Sequence, residues 1–217
     1  CVGCISLQVK GRPPSPQKRI TFVPTPEEIA EVALRHIATA DSPVVSFGQG
    51  CEGEPLIQAE TICRAIGLVR SKTTAGTINL NTNASMPGMV ARLADAGLDS
   101  IRISMNSARR ETYEKYFRPS YPFDALSESA REMKKRGRFV SINLFVFPGL
   151  TDAPKEAQAL RRFVEDNEVD MIQWRNLNLD PDVYLEMLGQ NLPAGVGIRR
   201  LMDEIPCRRG YFNPYLG

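Results

Sequence analysis

The stretch Thr77-Ile-Asn-Leu-Asn-Thr-Asn83 decides the fold class of this chain. Side chains alternate between the two faces of a strand, so Ile78 and Leu80 share one face. The opposite face carries three side-chain amides, those of Asn79, Asn81 and Asn83. Because buried polar groups need hydrogen-bond partners, a polar face that is not outermost must line a wet cavity or a ligand site.

The same alternation recurs in three later segments, Asp99–Asn106, Phe139–Phe147 and Asp170–Asn178. Their polar faces carry Arg102, Ser104 and Asn106, then Ser141 and Asn143, then Gln173 and Arg175. Helical patterns separate these strands, which is typical of a mostly parallel sheet with helices outside. A doubly wound sheet, covered on both faces, would have apolar strands instead. The sequence therefore predicts an α/β fold, a partial (β/α)6 TIM-like barrel with a polar lumen.

A glycine-rich stretch, Ser46-Phe-Gly-Gln-Gly-Cys-Glu-Gly-Glu-Pro-Leu56, follows the apolar run Val44 to Phe47, which has the pattern of a buried strand. Glycines let the backbone turn sharply and approach a ligand closely. Loops at the carboxyl ends of strands are where α/β folds place their active sites. Taken alone, the stretch favours a tight strand-to-helix turn with solvated acids. The polar strand faces and the cysteines favour a ligand-binding loop.

The five cysteines are an odd number, and only Cys1 and Cys4 are closely spaced. This is a poor disulfide framework, so we expect a reducing, cytoplasmic compartment. In Cys1-Val-Gly-Cys4 two thiolates can hold a metal or an iron–sulfur cluster. A redox pair, or two ordinary thiols, is the alternative interpretation of the same spacing.

The bulk composition excludes several classes of protein. The chain has 217 residues, of which 42% are hydrophobic and 24% charged, as in an ordinary globular domain. A net charge of +2 is too small to indicate nucleic-acid or membrane binding. No apolar run approaches the ~20 residues of a membrane span, and no signal peptide is visible. We expect a barrel domain over residues 1–178 and a C-terminal helical extension over residues 179–217.

Five segments together, in their order and spacing, resemble the radical S-adenosylmethionine (SAM) superfamily. Cys1-Val-Gly-Cys4 resembles the last two cysteines of the family's Cys-x-x-x-Cys-x-x-Cys motif. Gly50-Cys-Glu-Gly-Glu-Pro-Leu56 resembles its Gly-Gly-Glu-Pro motif. Leu80–Ala84, Gly97–Asn106 and Val140–Val146 resemble its third, fourth and fifth strands.

The resemblance implies a [4Fe–4S] cluster and SAM as cofactors. Reduction of the cluster cleaves SAM, and the resulting 5′-deoxyadenosyl radical abstracts hydrogen from a substrate. The metal ligands would be Cys1 and Cys4, and we expect the third cysteine and the first barrel strand upstream of Cys1. Cys51 lies near the expected cluster and is a weaker alternative ligand.

The resemblance also names residues that would bind SAM. The carbonyl of Gly53 and the carboxylate of Glu54, which precede Pro55, would accept hydrogen bonds from the methionine ammonium group. Ribose partners would be Ser104 and Asn143. Arg118 or Arg175 would pair with the SAM carboxylate or with the substrate. The predicted cofactor-binding set is Gly53, Glu54, Pro55, Ser104, Asn143 and Arg175.

Two other functions are compatible with the residues alone. One is a β/α-barrel enzyme that uses the glycine loop for phosphate or carbonyl chemistry. The other is a non-catalytic module in which Cys1 and Cys4 form half of a structural zinc site. For a radical SAM enzyme we expect a polar small-molecule or peptide substrate and a reductant such as flavodoxin or ferredoxin. Membrane and nucleic-acid partners are not expected.

Overall fold

A computed structural model describes residues 20–49, 53–176, 179–189, 192 and 194–217. In these ranges six parallel strands form one sheet in chain order, with β1 and β6 at its edges. The strands are β1 (Val44–Phe47), β2 (Thr77–Thr82), β3 (Ser100–Met105), β4 (Phe139–Val146), β5 (Met171–Asn176) and β6 (Arg208–Gly210). Arg102 on β3 reaches Gln173 on β5 and Gln49 after β1, which requires a curled sheet. The predicted partial barrel is confirmed.

Helices connect the strands and cover the outer face of the sheet. They are α1 (Pro26–Thr39), α2 (Ala59–Arg70), α3 (Pro87–Ala96), α4 (Arg110–Phe117), α5 (Ala125–Lys134), α6 (Pro154–Asp166), α7 (Pro181–Leu188) and α8 (Ile198–Glu204). Helix α1 begins as its sequence predicts, because Thr25 and Glu28 form a reciprocal capping box. Helix α3 ends at Gly97, whose φ of 114° is in the left-handed region. No helix of the described part is long and apolar enough to cross a membrane.

The apolar strand faces pack outward against the helices and form the main core. Ile78 and Leu80 of β2 are almost completely buried there. The same cluster contains aliphatic residues of the neighbouring strands and of α2 and α3: Ile101, Ile103, Val140, Ile142, Ile172, Ile66 and Leu93. Because burial of an aliphatic side chain contributes about 1.5–3 kcal/mol, this layer fixes which face of each strand points inward. The polar faces therefore line the lumen.

The C-terminal region differs from its expected helical structure in one element. After α8 the chain is not helical, because Arg208–Gly210 forms β6 and pairs with β5. A strand of three residues with two exposed arginines has no alternation for a sequence pattern to detect. The predicted extension, residues 179–217, thus contributes a strand to the same sheet. Its boundary at residue 178 stays a prediction.

Asp99 ties several elements together at the amino end of the barrel. Its Oδ2 accepts a hydrogen bond from the Ile78 backbone N–H at 2.7 Å and one from Arg70. Its Oδ1 accepts a hydrogen bond from Arg138 at 3.2 Å. This carboxylate therefore joins α2, β2 and the beginning of β4, at the opposite end of the strands from the glycine loop.

We expect Asp99→Ala to lower the free energy of unfolding by about 2 kcal/mol or more, because it leaves a buried N–H and two guanidinium groups without their acceptor. Urea unfolding measures this loss. The control is Asp124→Ala, which removes an exposed carboxylate paired with Arg110. The control should unfold at nearly the parent urea concentration, because exposed pairs contribute little. Equal midpoints for the two variants would contradict the role of Asp99.

Candidate active site

The deep part of the lumen is a closed hydrogen-bond network. Ser46 Oγ accepts hydrogen bonds from the side-chain amides of Asn79 at 2.9 Å and Asn81 at 3.2 Å. Asn79 Oδ1 in turn accepts a hydrogen bond from Ser100 Oγ at 2.8 Å. These polar groups satisfy one another, so they form a floor and are not available as a ligand site. The sequence predicted their common face but not this mutual bonding.

Asn213 completes this floor from the far end of the chain. Its Nδ2 donates to Ser46 Oγ at 3.0 Å and to Asn81 Oδ1 at 3.3 Å. Its Oδ1 accepts a hydrogen bond from Gln173 Nε2 at 3.4 Å. Leu216 N–H then donates to Thr77 Oγ1 at 2.7 Å. The segment after β6 thus crosses the lumen from β5 to β1 and β2. Sequence reasoning missed it, because Asn213 lies in an irregular segment without periodicity.

The upper lumen, the part level with Ser104 and Asn143 toward the carboxyl ends of the strands, holds polar groups without hydrogen-bond partners in the described part of the chain. Ser104 on β3 and Asn143 on β4 are direct neighbours in register on the lumen face. Asn143 is buried, and its Oδ1 has no hydrogen-bond partner in the described part of the chain. A buried acceptor without a donor is costly in a folded protein. Asn143 Oδ1 can therefore accept a further hydrogen bond, and its role in ribose binding stays a prediction.

Glu54 anchors the end of the glycine loop to β2. Its Oε1 accepts hydrogen bonds from Thr82 Oγ1 at 2.5 Å and from Leu56 N–H at 3.1 Å. Its Oε2 accepts one from Asn83 N–H at 2.8 Å. Burial raises the pKa of this carboxyl, and the three hydrogen bonds oppose that shift. Glu54 therefore fixes the backbone of Gly53 and Pro55 at the carboxyl end of the sheet, and its contact with a cofactor stays a prediction.

Gly48 brings the beginning of the loop into contact with β2. Its φ is +74°, and a Cβ there would lie 2.3 Å from the backbone oxygen of Asn81. Only glycine combines this conformation with so close an approach. Gly53 also has a left-handed φ, +121°, but no atom of the described residues lies within 4 Å of the position of its Cβ. The two glycines thus have different uses: Gly48 permits packing, and Gly53 leaves an accessible backbone.

Two arginines, Arg102 on β3 and Arg175 on β5, give the lumen a positive potential. Arg102 donates to Gln173 Oε1 at 2.8 Å and to Gln49 Oε1 at 3.4 Å. Burial, together with the nearby charge of Arg175, lowers the pKa of Arg102 to about 10. The Arg102 guanidinium is therefore still charged at neutral pH. Sequence reasoning named Arg175 as a cofactor ligand and placed Arg102 on the lumen face without a role.

The predicted metal ligands Cys1 and Cys4 lie outside the described residues, as does Cys51. Two cysteines are described, and both are free: Cys63 and Cys207. Burial raises the pKa of Cys207 to about 11, so its thiol is protonated at neutral pH. Within the described ranges no three His, Cys, Asp or Glu side chains converge on a metal position.

Comparison with known proteins places these features in a family. The sequence profile of the Radical SAM superfamily matches residues 1–160. The dual-specificity RNA methyltransferase RlmN of Xanthomonas oryzae pv. oryzae (strain PXO99A) is 30% identical over 169 residues. That alignment covers 69% of this chain and 41% of the relative. The chain thus spans less than half the length of the curated relatives it matches.

Two solved structures share the fold. A radical SAM methyltransferase from Sphaerobacter thermophilus superposes with a TM-score of 0.61 at 16% identity, covering 88% of this chain and 58% of that one. SuiB from Streptococcus suis, in complex with S-adenosylmethionine, superposes with a TM-score of 0.56 at 14% identity, covering 89% and 44%. At such low identity the similarity is one of fold alone.

The contact between Gly48 and β2 can be tested with a matched pair of variants. Gly137 also has a left-handed φ, +66°, but no atom lies within 4 Å of its Cβ position. An alanine at either site pays the backbone penalty of about 1–2 kcal/mol. Gly48→Ala also clashes with Asn81, so it should lower the free energy of unfolding by about 1–3 kcal/mol more. Equal losses in chemical denaturation would show that the close approach is unimportant.

Proposed function

This chain belongs to the radical SAM superfamily, and from that premise we propose that it forms the cofactor-binding barrel of an enzyme that cleaves SAM reductively. The observation that carries the proposal is the neighbouring pair Ser104 and Asn143, whose lumen face includes a buried acceptor without a partner. When bound, a [4Fe–4S] cluster and SAM supply hydrogen-atom abstraction from a substrate. The residues of the chain bind, orient and enclose the reactants.

The upper lumen fits the nucleoside part of SAM. A ribose hydroxyl can donate to Asn143 Oδ1, which would satisfy that orphan acceptor. Ser104 Oγ, across the β3–β4 pair, can donate to or accept from the second hydroxyl. A diol held by two side chains on adjacent strands has a defined orientation, and that orientation is what a selective hydrogen abstraction requires.

The glycine loop fits the methionine part. Glu54 holds the loop against Thr82 and Asn83, so the neighbouring Gly53 and Pro55 are positioned at the strand ends. We propose that the Gly53 carbonyl accepts a hydrogen bond from the ammonium group, with Glu54 supplying negative charge behind it. Arg175 is the candidate counter-ion of the SAM carboxylate or of the substrate. We assign the cluster to Cys1, Cys4 and a third, upstream cysteine.

The substrate and partners are proposed at a coarser level. We propose a polar small molecule or peptide as substrate, a reductant such as flavodoxin or ferredoxin, and a cytoplasmic location. The RlmN relatives are named as RNA methyltransferases. In this chain the net charge of +2 gives no electrostatic signature of nucleic-acid binding.

Anaerobic reconstitution of the protein with its upstream residues tests the proposed function. We expect bound iron and sulfide, SAM binding, and formation of 5′-deoxyadenosine on reduction. Bound zinc without SAM affinity would instead support the non-catalytic module. Catalysis that is indifferent to oxygen and to the loss of Cys4 would support a different β/α-barrel enzyme.

Asn143→Ala should weaken SAM binding about tenfold or more, because it removes the acceptor offered to the ribose. Equilibrium binding under anaerobic conditions measures the change. Asn167→Ala is the matched control: Asn167 is also buried, and its Oδ1 also has no hydrogen-bond partner among the described residues, but it follows α6 outside the lumen. An equal loss of affinity in both variants would refute the ribose assignment.

A further inference from the structure

Two arginine side chains face the lumen, and neither has an acidic partner among the described residues. Arg102 lies on β3 and Arg175 on β5, both on the polar face. Within the described ranges, Arg102 is bonded only to the amide oxygens of Gln173 and Gln49, and Arg175 has no hydrogen bond or ion pair. The two charges are close enough for Arg175 to depress the pKa of Arg102. This space therefore concentrates positive charge.

Arginines elsewhere in the described structure commonly pair with carboxylates. Those on or near the outer helices do so: Arg70, Arg92, Arg109, Arg110, Arg136 and Arg138. A partly buried guanidinium without a counter-charge costs free energy, because burial removes it from water. Outside the described ranges the sequence offers one acid, Glu52. The partly buried Arg102 thus lacks the compensation that the outer arginines have, and the exposed Arg175 also has no acidic partner among the described residues.

One unused hydrogen-bond donor of Arg102 indicates what kind of ligand could bind there. Arg102 Nε is buried and has no acceptor among the described residues, although two other nitrogens of the same group are bonded. Those bonds to Gln173 and Gln49 hold the guanidinium between β5 and the loop after β1. An oriented guanidinium with an unused N–H matches the planar, two-oxygen geometry of a carboxylate or phosphate.

We propose that Arg102 and Arg175 bind an anionic group of the substrate, a carboxylate or a phosphate, inside the lumen. This inference rests on the proposed function and specifies its substrate class. The anion neutralises both guanidinium groups and accepts the unused N–H of Arg102. The floor beneath consists of neutral serine and asparagine side chains, so nothing there repels a negative charge.

The depth of Arg102 separates this site from the proposed ribose site. Arg102 is in register with Asn81 and Ser141, whereas Ser104 is two residues closer to the carboxyl end of β3. Two residues of a strand span about 7 Å. Arg175 is in register with Phe145, two residues closer to the carboxyl end than the level of Asn143. The deep part of the anion site, at Arg102, therefore lies below the ribose pair, and Arg175 completes the site from the carboxyl end of β5.

Calorimetric titration of the reconstituted full chain with inorganic phosphate and with malonate tests the proposal. The probe that binds more tightly identifies the class of anion. Arg102→Gln and Arg175→Gln should each weaken that binding about tenfold or more, because each removes a charged donor. Arg162→Gln, which removes an exposed arginine on α6, should leave the affinity unchanged. Arg102→Lys, which keeps the charge, should bind more tightly than Arg102→Gln.

SAM affinity, measured on the same variants, separates this proposal from the proposed function. We expect Arg102→Gln to bind SAM with parent affinity, which also shows that the variant is folded. A parallel loss of SAM and phosphate affinity would assign the arginines to the cofactor carboxylate and overturn the proposal. Absence of binding of either anion by the parent would overturn it too. Anion binding without SAM cleavage would instead refute the proposed function and leave the anion site standing.

Discussion

The need to satisfy polar groups inside the barrel governs this structure. One oxygen, Ser46 Oγ, accepts hydrogen bonds from three side-chain amides on β2 and on the C-terminal segment. The polar groups of the deep lumen are therefore bonded to one another and do not need a ligand. On the polar strand faces that the structure describes, Asn143 Oδ1 and Arg102 Nε are buried without a hydrogen-bond partner, and both lie closer to the carboxyl ends of the strands than Ser46 and Asn79 do. Polar groups that bond to one another support the barrel, whereas polar atoms without a protein partner mark the candidate ligand site.

The two ends of the barrel have different physical tasks. At the amino end, Asp99 and Asp170 each accept the N–H of the preceding strand and a cation from a helix or loop, which fixes the strands against one another. At the carboxyl end, Gly48 and Glu54 fix a loop that carries candidate ligands. This separation of stability from chemistry is general in β/α barrels. It explains why substitutions at Asp99 and at Asn143 are expected to change different measurements.

Periodic features of the sequence predicted most of the fold. The alternation in β2 to β5 depends on residues within a few positions of one another, and the structure confirms it. The position of Asn213 depends on tertiary contacts, so no local pattern indicates it. The same holds for the three hydrogen bonds of Glu54, which reach residues beyond its own loop. The sequence predicts which strand faces line the lumen. The side-chain contacts then show which of these polar groups bond to one another and which have no partner.

The place of Asn213 has a consequence for biosynthesis. It bonds to a residue 167 positions earlier in the chain. Strands β1 to β5 therefore leave the ribosome before their last internal amide partner exists. During that interval Ser46 Oγ and Asn81 Oδ1 lack the amide donor that Asn213 supplies. Enclosure of the barrel floor is thus a late event in the maturation of the nascent polypeptide, and proteolytic trimming before Asn213 would return the floor to solvent.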